Sequence, residues 1–184
     1  MLENKINAAV RDVPNFPKEG ILFKDITPIL QDPVLCEEIV QAFCDKVQKW
    51  GVTVVVGIES RGFFFGPSIA QKLKVPFVPI RKKGKLPYKT ISVAYDLEYG
   101  DAVLEMHVDA IKPGGNVLIH DDVLATGGTA LGAVKLLELA GAKVAGYSFL
   151  IELMELKGKE KLLEYSENYT TITVSGPKIS PMSL

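Results

Sequence analysis

Apolar residues recur at spacings of three or four from Leu35 through Ile39, Phe43 and Val47 to Trp50, a rhythm that predicts a helix with one face on a core. Asp32 can cap its first turn, Pro33 suits the first helical position and Gly51 suits the exit, so the helix is expected over 33–50. TVVVGI, 53–58, follows as an unbroken β-branched run of the kind that forms a strand buried on both faces. PSIAQKL then reads as a short helix, PFVPI as a strand, NVLIH as a strand, TALGAVKLLELAG as a helix ending at Gly141, and KVAGYSFLIEL as a further strand. This alternation predicts an α/β fold, a parallel doubly wound sheet built from βαβ crossovers. Between the PFVPI and NVLIH strands the pattern changes: RKKGKLPYKT is basic and rich in turn formers, and SVAYDLEYGDAVLEMHV alternates as two strands around 98–101. Residues 82–108 are therefore expected to be a basic loop with an antiparallel hairpin insert, and residues 1–32 an N-terminal hood over one end of the sheet. The Pro- and Ser-rich tail, 175–184, lacks periodicity and is expected to be disordered.

The join between NVLIH and the next helix carries more chemistry than a connection needs. In HDDVLATGGTA, 120–130, two adjacent carboxylates precede a Thr-Gly-Gly-Thr turn. Ligands of open parallel sheets gather at the carboxyl ends of strands, which makes this loop a candidate site. Ala125, Thr126, Gly127, Gly128 and Thr129 lead into a helix whose first amides lack partners and whose dipole favours an anion, so a phosphate fits there. Gly127 and Gly128 let the backbone approach it, and the two Thr hydroxyls can donate further bonds. Asp121 and Asp122 would repel that phosphate unless an uncharged spacer lay between; a ribose, its 2′- and 3′-hydroxyls donating to the carboxylates, is such a spacer. The segment thus reads as a ribose 5-phosphate site. The plain alternative is a helix cap beside solvated aspartates. A Walker A loop would need a Lys before its final Ser or Thr, and a dinucleotide fingerprint needs Gly-x-Gly-x-x-Gly; neither is present here.

Composition narrows the picture. A chain of 184 residues with 47% hydrophobic content is long enough for a single domain with a real core and short for two. Its 21 Lys and Arg nearly balance 22 Asp and Glu, so neither nucleic acid nor a membrane surface is an expected partner. No apolar run approaches the ~18 residues of a membrane span, and a soluble cytoplasmic protein is expected. Cys36 and Cys44, eight apart in the helical pattern, read as buried free thiols.

HDDVLATGGTA resembles the phosphoribosyl pyrophosphate motif of type I phosphoribosyltransferases. VPNFPKEGILFKDITPIL, GIESRGFFFGPSIA, IRKKGKLP, YDLEYGDAVLEMH and IELMELKGKEKL resemble, in order, segments of the branch that uses adenine. The resemblance extends to about Tyr165 and implies the type I fold, with transfer of the phosphoribosyl group to adenine, Mg²⁺ carried on the pyrophosphate donor rather than by a protein metal site, and a homodimer. It implies that Arg61 grips pyrophosphate from the turn holding Glu59 and Ser60, and that Arg81 and Lys85 add positive charge, Arg81 across a dimer interface. Lys82 and Lys83 read equally well as a solvated basic loop. Glu98 matches the acid and base that handles the purine proton, and Tyr99 the residue ordering the covering loop. Leu22, Phe23 and Lys24 match the segment that reads adenine, largely through main-chain groups, and Leu124 is placed to pack on the purine. The resemblance leaves open a 6-oxopurine enzyme, and a regulator that only senses these ligands; the latter usually carries a nucleic-acid-binding part, and no such extension or basic stripe is found here.

Two positions depart from the pattern. Lys24 stands where relatives carry Arg, a change that main-chain reading tolerates. His120 replaces the usual Val or Ile, and strand alternation turns it away from Asp121, so a buried or interface histidine is expected rather than a ligand. His107 is expected at the surface or an interface.

Overall fold

The computed structural model describes residues 1–97 and 100–175. Its centre is a seven-stranded sheet in the order β5-β6-β4-β3-β7-β8-β9, where β3 is Val54–Ile58, β4 Phe77–Lys82, β5 Thr90–Leu97, β6 Gly100–His107, β7 Asn116–Leu124, β8 Lys143–Leu153 and β9 Tyr169–Ser175. The five strands from β4 to β9 in that order run parallel, and the β5–β6 hairpin joins the β4 edge antiparallel. A separate two-stranded sheet pairs β1, Arg11–Pro14, with β2, Leu22–Asp25.

Helices cover both faces because the parallel strands are apolar on both. On one face α4, Gly128–Leu139, packs its Ala133, Val134 and Leu137 against Val117, Ile119, Leu104 and Tyr147. On the other, α2, Pro33–Val47, and α3, Gly66–Leu73, pack Ile39, Phe43 and Ile69 against Val55 and Leu118. As expected, Asp32 caps α2, its carboxylate accepting from the Val34 and Leu35 amides at 3.0 Å each. The regular helix stops at Val47, and Gly51 turns the chain into β3 with φ +64°.

Three elements carry no signal in the hydrophobic pattern: α1, Leu2–Ala9, the β1–β2 hairpin, and β9. α1 buries only Ile6. β9 hides its inward positions behind a polar label, since Thr170 and Thr173 are 6% and 2% exposed. Ser175, the first residue of the expected loose tail, still pairs with Leu153 of β8, while residues 176–184 lie outside the described residues. Among the described residues no helix is long and apolar enough to cross a membrane. Cys36 and Cys44 are both free thiols, Cys44 buried and Cys36 half-buried.

Candidate active site

A cavity of about 390 Å³ opens at the carboxyl ends of β3 and β7. One wall is the turn Glu59–Ser60–Arg61 after β3, and a second runs from Asp121 through Thr129 to Ala130 at the start of α4. The third is apolar, with Tyr95 and Leu104 from the hairpin and Phe149 from β8, and Lys82 stands at the rim.

Two neighbouring carboxylates can reach one cavity only if the strand departs from strict alternation. Along β7, Val117 and Ile119 face α4 while Leu118 and His120 face α2; past the aspartates Val123 packs on the α2 side and Leu124 on the α4 side. The alternation has changed phase between His120 and Val123. Strand β8 shifts with it, since Tyr147 and Phe149 belong to the α4 side but Leu150 and Ile151 both belong to the other. At the shift the Asp122 amide donates to Asp121 Oδ1 at 2.9 Å, so a side chain takes up a strand N–H.

The two carboxylates differ in exposure: Asp122 is 1% exposed, whereas Asp121 is half-buried and faces the cavity. Burial pushes the Asp121 carboxyl well above its ordinary value and the negative charge of Asp122 pushes it further; burial also raises Asp122, against the pull of Arg61. Arg61 answers this charge, with Nε 3.1 Å from Asp122 Oδ2, and its guanidinium lies 4.8 Å from the centre of the Phe23 ring. Gly62 permits the close approach: a Cβ there would come within 2.8 Å of the His120 carbonyl and 3.3 Å of Asp121 Oδ1.

At the other end of the wall Gly127 takes φ +83° as the residue before α4, and no side chain caps that helix. The amides at Gly128, Thr129 and Ala130 begin a 12-residue helix, and the first intrahelical bond of the turn runs from Leu131 N to the Gly127 carbonyl at 2.9 Å. The turn thus presents uncapped amides at one end of the wall, with half-buried Asp121 and buried Asp122 at the other.

The chain matches the phosphoribosyl transferase domain family over residues 27–175. An adenine phosphoribosyltransferase of Cytophaga hutchinsonii is 53% identical over 165 residues, covering 90% of this chain and 91% of that protein. The chain belongs to the phosphoribosyltransferase family. Among solved relatives, adenine phosphoribosyltransferase from Rhodothermus marinus superposes with TM-score 0.88 at 48% identity, over 95% of this chain and 98% of its own. The Saccharomyces cerevisiae enzyme, solved with an imino-altritol bisphosphate and adenine, superposes with TM-score 0.84 at 41% identity, over 94% and 97%.

In this phosphoribosyltransferase the cavity gathers Ser60, Arg61, Asp121, Asp122, Leu124 and the whole turn from Ala125 to Thr129. Leu22, Phe23 and Lys24 do not line it; they sit on β2, which touches the site through Phe23 beneath Arg61. Lys24 points elsewhere, with Nζ 2.6 Å from Asp12 Oδ1. Only β1 pairs with β2, so among the described residues the other edge of β2 carries no strand. Arg81 and Lys85 also lie off the cavity lining. The Arg81 guanidinium donates to Glu59 Oε1 and to the Lys85 carbonyl, both at 2.9 Å, while Glu59 Oε2 accepts from the Lys82 amide at 3.0 Å. The hydrogen bond from Arg81 holds the Glu59 carboxyl below its ordinary value. Glu98 and Tyr99 lie outside the described residues.

Lys82 is the cation that the strand presents to the cavity, and alternation along β4, which sets it on the opposite face from Arg81, was a usable signal. Tyr95 and Leu104 share one hairpin, but no local pattern signals that they meet Phe149 of the distant strand β8. His120 is fully buried, as alternation predicts: its Nδ1 meets Ser148 Oγ at 2.9 Å and its ring stands edge-on to Phe43. Burial pulls its pKa down to about 3, which keeps the ring neutral. His107 is half-buried, edge-on to Tyr88.

Proposed function

We propose that this enzyme joins adenine to 5-phosphoribosyl 1-pyrophosphate, giving AMP and pyrophosphate, a purine-salvage reaction. The observation that carries the reading is the shared cavity in which half-buried Asp121, buried Asp122, the uncapped turn 125–129 and Arg61 meet. The carboxylates accept the ribose hydroxyls, the turn takes the 5′-phosphate, and Arg61 with Lys82 faces the pyrophosphate, with Ser60, Arg81 and Lys85 as further candidates. The relatives' adenine activity and the adenine bound in the yeast structure support the choice of base. Adenine then lies between Leu124 and the free edge of β2, whose main-chain groups at 22–24 read its N6 and N1 positions.

In the reaction N9 of adenine forms the bond to C1′ while the C1′–O bond breaks and pyrophosphate leaves with the electron pair. The purine gives up a ring proton, which is the work assigned to Glu98. Asp122 is engaged by Arg61, which leaves Asp121 as the carboxylate open to the cavity. A Mg²⁺ arriving on the pyrophosphate would find an oxygen ligand in Asp121, the half-buried carboxylate on the cavity wall. The ion, when bound, neutralises charge on the leaving group. The same reading takes the enzyme as a cytoplasmic homodimer, in which Arg81 must release Glu59 before it can serve a neighbouring subunit.

Turnover with adenine, hypoxanthine, guanine and orotate, each with phosphoribosyl pyrophosphate and Mg²⁺, tests the reading; adenine is the expected substrate, and preference for any other base overturns it. Glu98→Gln should lower kcat about a hundredfold with little change in AMP affinity, because the proton matters in the transition state. A near wild-type kcat would remove Glu98 from the chemistry.

A further inference from the structure

The segment IELMELKGKEKL, 151–162, lies against the back of the turn 125–129. Gly158 opens the short helix α5, Gly158–Leu162, and is buried. A Cβ on Gly158 would fall 2.2 Å from the Ala125 carbonyl oxygen, 2.9 Å from the Gly127 amide nitrogen and 3.0 Å from Leu124 Cδ1. The contact is mutual, since a Cβ on Gly127 would fall 3.0 Å from the Gly158 carbonyl and 3.3 Å from its Cα. Two backbones therefore touch with no side chain between them.

The far side of α5 is anchored. Leu162 is fully buried in the core cluster under α4, and Lys159 Nζ lies 4.7 Å from the centre of the Tyr169 ring on β9. A glycine-rich turn left alone would sample many conformations, and a phosphate would have to order it at the cost of affinity. Backed by a fixed surface, it is already shaped when the anion arrives.

We propose that Gly158 is a positioning residue for the phosphate cradle: the anchored segment 154–162 holds the turn 125–129 in its anion-binding form by direct backbone contact. The proposal rests on the reading of that turn as the 5′-phosphate site.

The Gly158→Ala enzyme should bind AMP about ten- to a hundredfold more weakly and show a raised KM for phosphoribosyl pyrophosphate, as overpacking of this size displaces the turn, while adenine alone, which meets only Leu124 of the displaced residues, should lose at least severalfold less than AMP. Equal weakening toward AMP and adenine, or none toward either, would overturn the proposal. A measurement on the wild type decides the matter even if the variant fails to fold. Inorganic phosphate and AMP should each slow amide hydrogen exchange in 155–163 together with 125–131, and adenine alone should not; exchange in 155–163 indifferent to both anions refutes the buttress. A wild type that gains this protection with inorganic phosphate yet forms no AMP would sink the transferase reading and leave the buttress standing.

Discussion

Arg61→Met is expected to lower kcat/KM by about 10²–10³, the usual effect of removing one donor aimed at developing charge. The loss should have a second component in stability. Arg61 is the cation opposite Asp122, which is 1% exposed, and taking it away leaves a buried carboxylate without its cation next to half-buried Asp121. Breaking a fully buried pair costs about 3–5 kcal/mol, and because the Arg61 side chain is 33% exposed the cost here should fall below that range. The sign with pH is fixed. Without Arg61 the folded-state pKa of Asp122 moves further above its unfolded value, so the folded state holds its proton more tightly and stability is lost as pH rises from the unfolded value through the folded one. Melting curves should separate variant from wild type more at pH 8 than at pH 5. A variant with kcat/KM within tenfold of wild type and an unchanged melting profile would show that Arg61 serves neither the leaving group nor Asp122.

Replacing both aspartates by asparagine should weaken AMP binding about a hundredfold or more, since each change removes a charged acceptor whose hydrogen bonds are worth about 1.5–3 kcal/mol. The single change Asp121→Asn is the more informative companion. Burial and the Asp122 charge raise the folded-state pKa of Asp121, so keeping it ionised at pH 8 costs stability that asparagine would return. The variant should therefore melt higher by a few degrees, about 2–4 °C per kcal/mol regained, while binding AMP less well. At pH values below the unfolded-state pKa the carboxyl is protonated in both states, and the gain should vanish. Unchanged AMP binding by calorimetry would mean that the ribose contact is misassigned.

How much of this was legible beforehand follows from the range of the interactions involved. Asp32 capping α2, the buried run of β3 and the uncapped glycine turn ahead of α4 are each set by neighbours in sequence, and each could be read directly. The α1 helix and the β1–β2 hairpin could not, because short elements with a single buried residue, or broken by Pro and Gly, leave too few periodic positions to register. β9 was hidden by threonine, whose branched body fills the core while its hydroxyl counts as polar. At the site, Asp121 through Thr129 is one contiguous stretch. The contact of Arg61 with Phe23 and the meeting of the Tyr95–Leu104 hairpin with Phe149 join residues far apart in the chain, and no local pattern announces them.

The phase change in β7 bears on how this region tolerates substitution. A positional scan across Val117–Leu124 would begin with a two-residue rhythm, each apolar position intolerant of charge according to the helix it meets. At Asp121 and Asp122 that rhythm should break, and it should resume displaced by one position at Val123 and Leu124. β8 should show the same hiccup between Phe149 and Ile151. A break shared by two paired strands would be a fingerprint of the site readable from growth phenotypes alone, with no ligand in hand.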